Sequence, residues 1–329
     1  MTEQRVHKLR SNAFYDLLRE NYPKTAIFSF DCEKNLPLPK IPDQACYFSM
    51  QINLYNFTVV SGHSKSKLTP ENVKSFTWTE KDRQRGSNEI VSAVFYALQN
   101  FNFDEEVQQV RLVCDGCGGQ NKNSSIIGMV QYWLKRCSPP QIQLVELVYP
   151  VVGHSFLPPD RVFGQIERKI KKYANIIKEY ATVLRMGEDY PIFDWKSELM
   201  KVLKSPGSWH FCFKPSKRII FTKATDGSVL VRGEPFYKND ISTAKSICKK
   251  FQTVNHFNLH PLNTGRSLKP DKIRSISSLL AKHYGAEWEN DERLEFFKNA
   301  FQANPGNTSE TQPDVDDTLV FSDNNDLRI

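Results

Sequence analysis

The chain predicts an α/β fold built on a mixed sheet, from three observations. Apolar runs of strand length crowd together early, at 27–32, 46–55 and 57–61, with a further one near Phe76-Thr77-Trp78. Later runs at 109–115 and 141–149 are each followed by a segment of helical spacing. Close neighbours favour antiparallel pairing, whereas strand–helix alternation favours parallel crossovers, so the order reads β-β-β-α-β-α-β-α.

Each element has a local reason. Residues 1–23 hold a helix with Phe14, Leu17 and Leu18 on one side. Ile27-Phe28-Ser29-Phe30 is an apolar strand running into Asp31-Cys32-Glu33, after which Leu36-Pro37-Leu38-Pro39 reads as a turn. A helix over 87–101 takes Ser87 as its cap and Ile90, Val91, Val94, Leu98 and Phe101 as its apolar stripe. Val110, Leu112 and Val113 belong to an internal strand that exits at Asp115 into a glycine-rich turn, and 124–136 continues as a helix. The run from Ile142 to Val152 supplies the strand at 141–149, and a long basic helix covers 160–183.

Beyond residue 185, Trp209–Phe213, Arg218–Thr222 and Ser228–Arg232 read as short strands, with Asp226-Gly227 as a hairpin turn. Helices follow near 271–283 and 289–301. The division expected is an N-terminal helical segment (1–23), an α/β core (24–186), a smaller C-terminal α+β extension (187–302) and a disordered acidic tail (303–329).

Charge is unevenly spread. The chain has 44 basic and 37 acidic side chains, but 306–329 contains six acids and one arginine, leaving 43 basic against 31 acidic groups, a net of +12, in 1–305. A basic body of this kind points to a polyanionic partner. Arg161, Arg168, Lys169, Lys171, Lys172 and Lys178 stud one side of the 160–183 helix, with Phe163, Ile166, Ile170 and Ile177 on the other. The seven cysteines form no disulfide framework and fit a reducing compartment. Neither a membrane-spanning run nor a signal-peptide apolar core is legible, so the expectation is an intracellular protein without membrane contact.

Three acids stand at element ends: Asp31 after the first strand, Asp115 after the strand at 109–115, and Asp160 at the start of the basic helix. Around them lie specific motifs: Ser29-Phe30-Asp31 with Leu36-Pro37-Leu38-Pro39; Trp78 with Arg85-Gly86-Ser87-Asn88-Glu89; Asp115 with Gly119-Gln120-Asn121-Lys122-Asn123; and Gly153-His154-Ser155 with Asp160 and Phe163-Gly164. On these the chain resembles a eukaryotic family of transposon-derived proteins, and more broadly the RNase H-like core of cut-and-paste transposases and integrases. A weaker match runs through Pro261-Leu262 and Lys269 to Leu280, so the resemblance spans roughly 25–300, a domain-scale stretch.

That resemblance implies an RNase H-like mixed sheet and DNA cleavage with strand transfer. Two divalent ions about 3.5–4 Å apart can activate the attacking oxygen and neutralise the leaving one, and carboxylates must hold them. Mg²⁺ (or Mn²⁺) is the implied cofactor, with no small-molecule cofactor, since hard oxygen ligands suit these ions. Asp31 and Asp115 are the implied bridging pair. Asp160 is the implied third ligand, with Glu167 in competition two helical turns along the same face. His154 would orient water, touch the scissile phosphate or fix the strand-to-helix turn. Lys122 and Asn123 would contact phosphate or support the acids, while Arg168, Lys169, Lys171 and Lys172 would steer the DNA backbone. DNA as partner, a nuclear location and a homo-oligomer are consistent with this.

Other readings of the same residues stay open. Asp160 after two prolines is a good helix N-cap, and Gln120–Asn123 can be a polar loop. Cys114-x-x-Cys117 would need Cys32 and His154 to close a zinc site; core and turn cysteines are the simpler expectation. Asp31-x-Glu33 places two acids on one strand face, as a 3′-5′ exonuclease would use them. A noncatalytic nucleic-acid or chromatin-binding protein would retain the basic surface alone. No DNA-reading module is legible in 1–23, which fits a fragment or a domesticated form.

Overall fold

The computed structural model describes residues 3–19, 22–154, 156–170, 181–263 and 265–302. In chain order the elements are α1 (Glu3–Arg19), β1 (Thr25–Cys32), β2 (Leu36–Leu38), α2 (Gln44–Phe48), β3 (Ile52–Ser61), β4 (Val73–Thr79), α3 (Ser87–Gln99), β5 (Gln109–Cys114), α4 (Ser124–Arg136), β6 (Leu144–Val148) and α5 (Pro158–Ile170). Then come β7 (Thr182–Arg185), α6 (Trp195–Val202), β8 (Arg218–Lys223), β9 (Val229–Glu234), α7 (Pro270–Tyr284) and α8 (Glu295–Phe301).

The described strands form one mixed sheet in the order β7-β4-β3-β1-β5-β6-β8-β9, with β2 paired to β3. β1 runs parallel to β5, and β5 parallel to β6, whereas β3 is antiparallel to both β1 and β4. Helices cover both faces, the α/β solution for strands that are apolar on both sides.

Alternation along β1 sorts its side chains between two cores. Phe28 and Phe30 join Leu112 and Cys114 in the large core with α3, α4 and α6. Ile27 joins Val113 and Val148 against Phe14, Leu17 and Leu18 of α1. On that second face, Val60 and Val73 meet Val162, Phe163 and Ile166 of α5. The odd-numbered side chains of β1 therefore look toward α1 and α5. Asp31 follows this alternation.

Several local expectations need correction. Residues 46–48 are helical: the Asp43 carboxylate accepts a hydrogen bond from the Ala45 amide at 2.9 Å and caps α2. The two expected strands beyond it are one continuous β3. Leu36–Leu38 pairs with Ile52–Leu54 instead of only turning. Gly86, not Ser87, is the α3 N-cap. The helix expected over 160–183 is described only to Ile170, and β7 takes residues 182–185, where Thr182 and Val183 favour a strand and β4 offers an edge for parallel pairing. Trp209–Phe213 is not a strand. Its rings pack against one another instead, with Trp209 5.5 Å from Phe211 and 5.2 Å from Phe213. The helix expected at 289–301 is two 3-10 turns followed by α8. The tail from 303 lies outside the described residues.

The C-terminal hairpin forms as expected, with Gly227 at φ +74° and the Asp226 carboxylate accepting from the Ser228 amide at 2.8 Å. Its place was not expected: β8 pairs antiparallel with β6 and extends the main sheet. A buried ionic chain fixes that junction. The Glu146 carboxylate accepts from Arg111 at 2.7 Å and from Arg218 at 2.9 Å, and Arg111 also donates to the Leu17 carbonyl of α1 at 3.1 Å. No helix among the described residues is long and apolar enough to cross a membrane.

Candidate functional site

Parallel pairing of β1 with β5 places Phe30 opposite Cys114, so Asp31 and Asp115 follow side by side at the same end of adjacent strands. Both fall on the α5 side of the sheet by alternation. The Asp31 carboxylate accepts from the Cys32 amide at 2.7 Å, and that of Asp115 from the Cys117 amide at 3.2 Å.

One amide joins them. Asn121 Nδ2 donates to Asp115 at 2.6 Å and lies 3.5 Å from Asp31. Asn121 is fully buried, and its Oδ1 has no hydrogen-bond partner. The loop that delivers it is held by its backbone: the Cys117 carbonyl accepts from the amides of Asn121 at 2.8 Å and Lys122 at 2.9 Å. The Tyr149 hydroxyl approaches the Asn121 carbonyl at 3.4 Å.

Asp160 is the third residue of α5, and its carboxylate accepts from the Leu157 amide at 2.6 Å, steadying the first helical turn. Its charge is felt at the strand ends. Burial, then the charges of Asp115 and Asp160, lift the Asp31 carboxyl to about 7 against the opposing hydrogen bonds from Cys32 and Asn121. Burial also raises Asp160, with the Leu157 amide opposing and Asp115 adding. Among the described residues no lysine or arginine is ion-paired with any of these three acids.

Glu167 lies elsewhere. It pairs with Lys34 at 2.6 Å, with both side chains largely exposed, and its charge acts on Glu33. Glu33 is buried; its carboxylate accepts from Asn56 at 2.8 Å, and Asn56 in turn accepts from Ser75 at 2.6 Å. Burial raises Glu33 to about 7 as well. Thus Asp31 and Glu33 share a strand face, with Glu33 tied to Asn56 through one carboxylate oxygen.

The remaining candidates have local partners. Lys122 donates to the carbonyls of Lys214 at 2.6 Å and Ser216 at 2.9 Å, with its ammonium 4.7 Å from the Tyr149 ring centroid. Those bonds tie the loop to the segment before β8. Asn123 is the α4 N-cap, accepting from Ser125 at 3.0 Å and Ile126 at 3.1 Å. His154 packs on His7 of α1 at 4.8 Å between ring centroids, and its carbonyl lies 3.4 Å from the Tyr15 hydroxyl. Arg161 turns to the Ser66 carbonyl at 3.1 Å, while exposed Arg168 donates to Gly164 at 2.9 Å. The Lys169 side chain, Lys171, Lys172 and Lys178 lie outside the described residues.

Cys114 is buried on the opposite face from Asp31, and Cys117 is exposed. Among the described residues no group of three or more His, Cys, Asp or Glu side chains is assembled to hold a metal ion. The acids form a close pair with a third in electrostatic range. The chemistry of that set still fits a hard divalent cation: oxygen donors, no ion-paired lysine or arginine among the described residues, and an orphaned amide oxygen beside the pair.

Asn121 is the residue that the motif reading left without a role. Its signal was present in Gly119-Gln120-Asn121-Lys122-Asn123, but three amides stand there and only the turn decides which one meets the acids. Comparison of the chain with family models, curated proteins and solved structures returned no match.

Proposed function

We propose that this chain is a transposase-derived, RNase H-like nuclear protein whose reaction is divalent-metal-dependent cleavage and strand transfer of DNA phosphodiesters. The observation that carries the proposal is the adjacency of Asp31 and Asp115 at the ends of parallel strands, with Asp160 close enough in charge to disturb Asp31. The inner strand order β4-β3-β1-β5-β6, with only β3 reversed, supports the RNase H-like assignment. A basic body of net +12 supports a polyanionic substrate.

Asp31 and Asp115 would hold Mg²⁺ or Mn²⁺, with Asp160 beside them. Bound there, the cation supplies positive charge for the attacking and leaving oxygens of a phosphodiester. The chain's own contribution is positional. β1 and β5 fix the spacing of the first two carboxylates, α5 brings the third, and the Leu157 amide orients it. Glu33 is left out of this set, one of its oxygens being tied to Asn56; an exonuclease site would use it, so the Glu33→Gln protein separates the two readings.

The test is cleavage of plasmid and oligonucleotide DNA with Mg²⁺ or Mn²⁺. Asp115→Asn should lose cutting while keeping most of its DNA affinity, and Glu33→Gln should keep cutting. Salt-sensitive DNA binding with no metal-dependent cutting by the unmodified chain would sink the enzymatic proposal and leave a binding protein.

A further inference from the structure

We propose that Asn121 is itself a ligand of the divalent cation, its side-chain amide turning over on metal binding so that Oδ1 joins the carboxylates of Asp31 and Asp115. This rests on the metal-dependent function above and adds a donor to it that is neither a carboxylate nor part of the expected three-acid set.

Four observations carry it. The Asn121 side chain is fully buried and already touches both carboxylates, so it occupies the right place. Its oxygen is buried without a partner, a state that costs about 1–3 kcal/mol for a desolvated acceptor. Next to two acids, an acceptor with nothing to accept from is a poor final arrangement, and a cation is the partner it lacks. The third observation concerns freedom. The loop is held by the backbone of Asn121, by Lys122 on the carbonyls of Lys214 and Ser216, and by Asn123 as the α4 cap, so the side-chain amide is not what holds it in place. The fourth is the ligand count. No third His, Cys, Asp or Glu is assembled in contact with the pair among the described residues, Asp160 acting on Asp31 through its charge, so a further oxygen donor has a place there.

Without metal, the Nδ2 hydrogens answer part of the negative charge of Asp31 and Asp115. A cation between the carboxylates would meet the Nδ2 hydrogens as a like charge, so the amide turns over: Nδ2 gives up its bond to Asp115 and Oδ1 takes the side that faces the ion. A neutral amide oxygen is an ordinary hard donor for Mg²⁺-like ions. It completes coordination without adding a third negative charge to a buried place.

The experiment measures Mn²⁺ binding to the full chain by calorimetry, and counts metal-bound waters by electron–nuclear double resonance in isotopically labelled water. Asn121→Ala should bind Mn²⁺ roughly 10-fold more weakly, and its bound Mn²⁺ should gain a water where the amide oxygen was. If that variant does not fold, Asn121→Ser is read in the same two ways. Unchanged affinity and water count in the Asn121 variants, with binding still abolished by Asp115→Asn, would overturn the role of Asn121 and leave the metal site standing. No Mn²⁺ binding by the unmodified chain would overturn both.

Discussion

Asp31 is where burial and like charge act most strongly together at the site. A carboxyl raised to about 7 in the folded state holds its proton more tightly there than in the unfolded chain. Its stabilising contribution is therefore complete below the ordinary carboxylate range, near pH 4, and is lost as pH rises through about 7. Metal-free protein should lose roughly 2–4 kcal/mol across that window, with Glu33 acting in the same direction. Asp31→Asn should flatten a large part of this dependence in urea unfolding at pH 5 and pH 8; an unchanged slope would mean that Asp31 ionises normally. At this scale the acids were legible, because an apolar run ending in a carboxylate is a local pattern. The role of Asn121 was not legible. It depends on a turn that brings residue 121 back to residues 31 and 115.

Helix α4 carries the loop of Asn121 and is tied down at both ends of its function. Asn123 caps it, so Asn123→Ala should cost about 1 kcal/mol, measured as a lower urea midpoint at unchanged slope. Gly128 lies where α4 meets α6, and an added Cβ would stand 2.1 Å from a Leu199 methyl carbon. Gly128→Ala should destabilise by about 1–3 kcal/mol through overpacking; a neutral result would show that α6 shifts freely. The expected boundaries of α4 agree with the observed Ser124–Arg136, since cap, apolar stripe and basic last turn all speak for one helix. At 46–48, by contrast, apolar composition favoured a strand and the Asp43 cap decided for helix.

Across the whole molecule, the junction of β5, β6 and β8 binds the C-terminal hairpin to the sheet that carries the acids. Glu146 stands between Arg111 and Arg218, all three buried. Glu146→Ala would leave two buried guanidiniums without their shared carboxylate and should cost about 3–5 kcal/mol by chemical denaturation. For the same reason a fragment of residues 24–186 should fail to unfold as a cooperative unit, because it exposes the β6 edge and strands Arg111 and Glu146 without Arg218. A sharp, reversible transition from that fragment would contradict this view of the molecule.

The first strand, the helices at 87–99 and 124–136, the strands before Asp115 and at 144–148, the basic body and the placing of Asp31, Asp115 and Asp160 at element ends were legible in the sequence alone, because periodicity, caps and charge are properties of neighbouring residues. Only the tertiary structure decided that β8 and β9 extend the central sheet, that Lys122 reaches the carbonyls of Lys214 and Ser216, that Glu167 sits with Lys34, and that Asn121 bridges two acids. Each of those facts is a meeting of residues distant in the chain. Pairing across a sheet depends on which edge is open and which buried charge awaits a partner, and no local pattern records either.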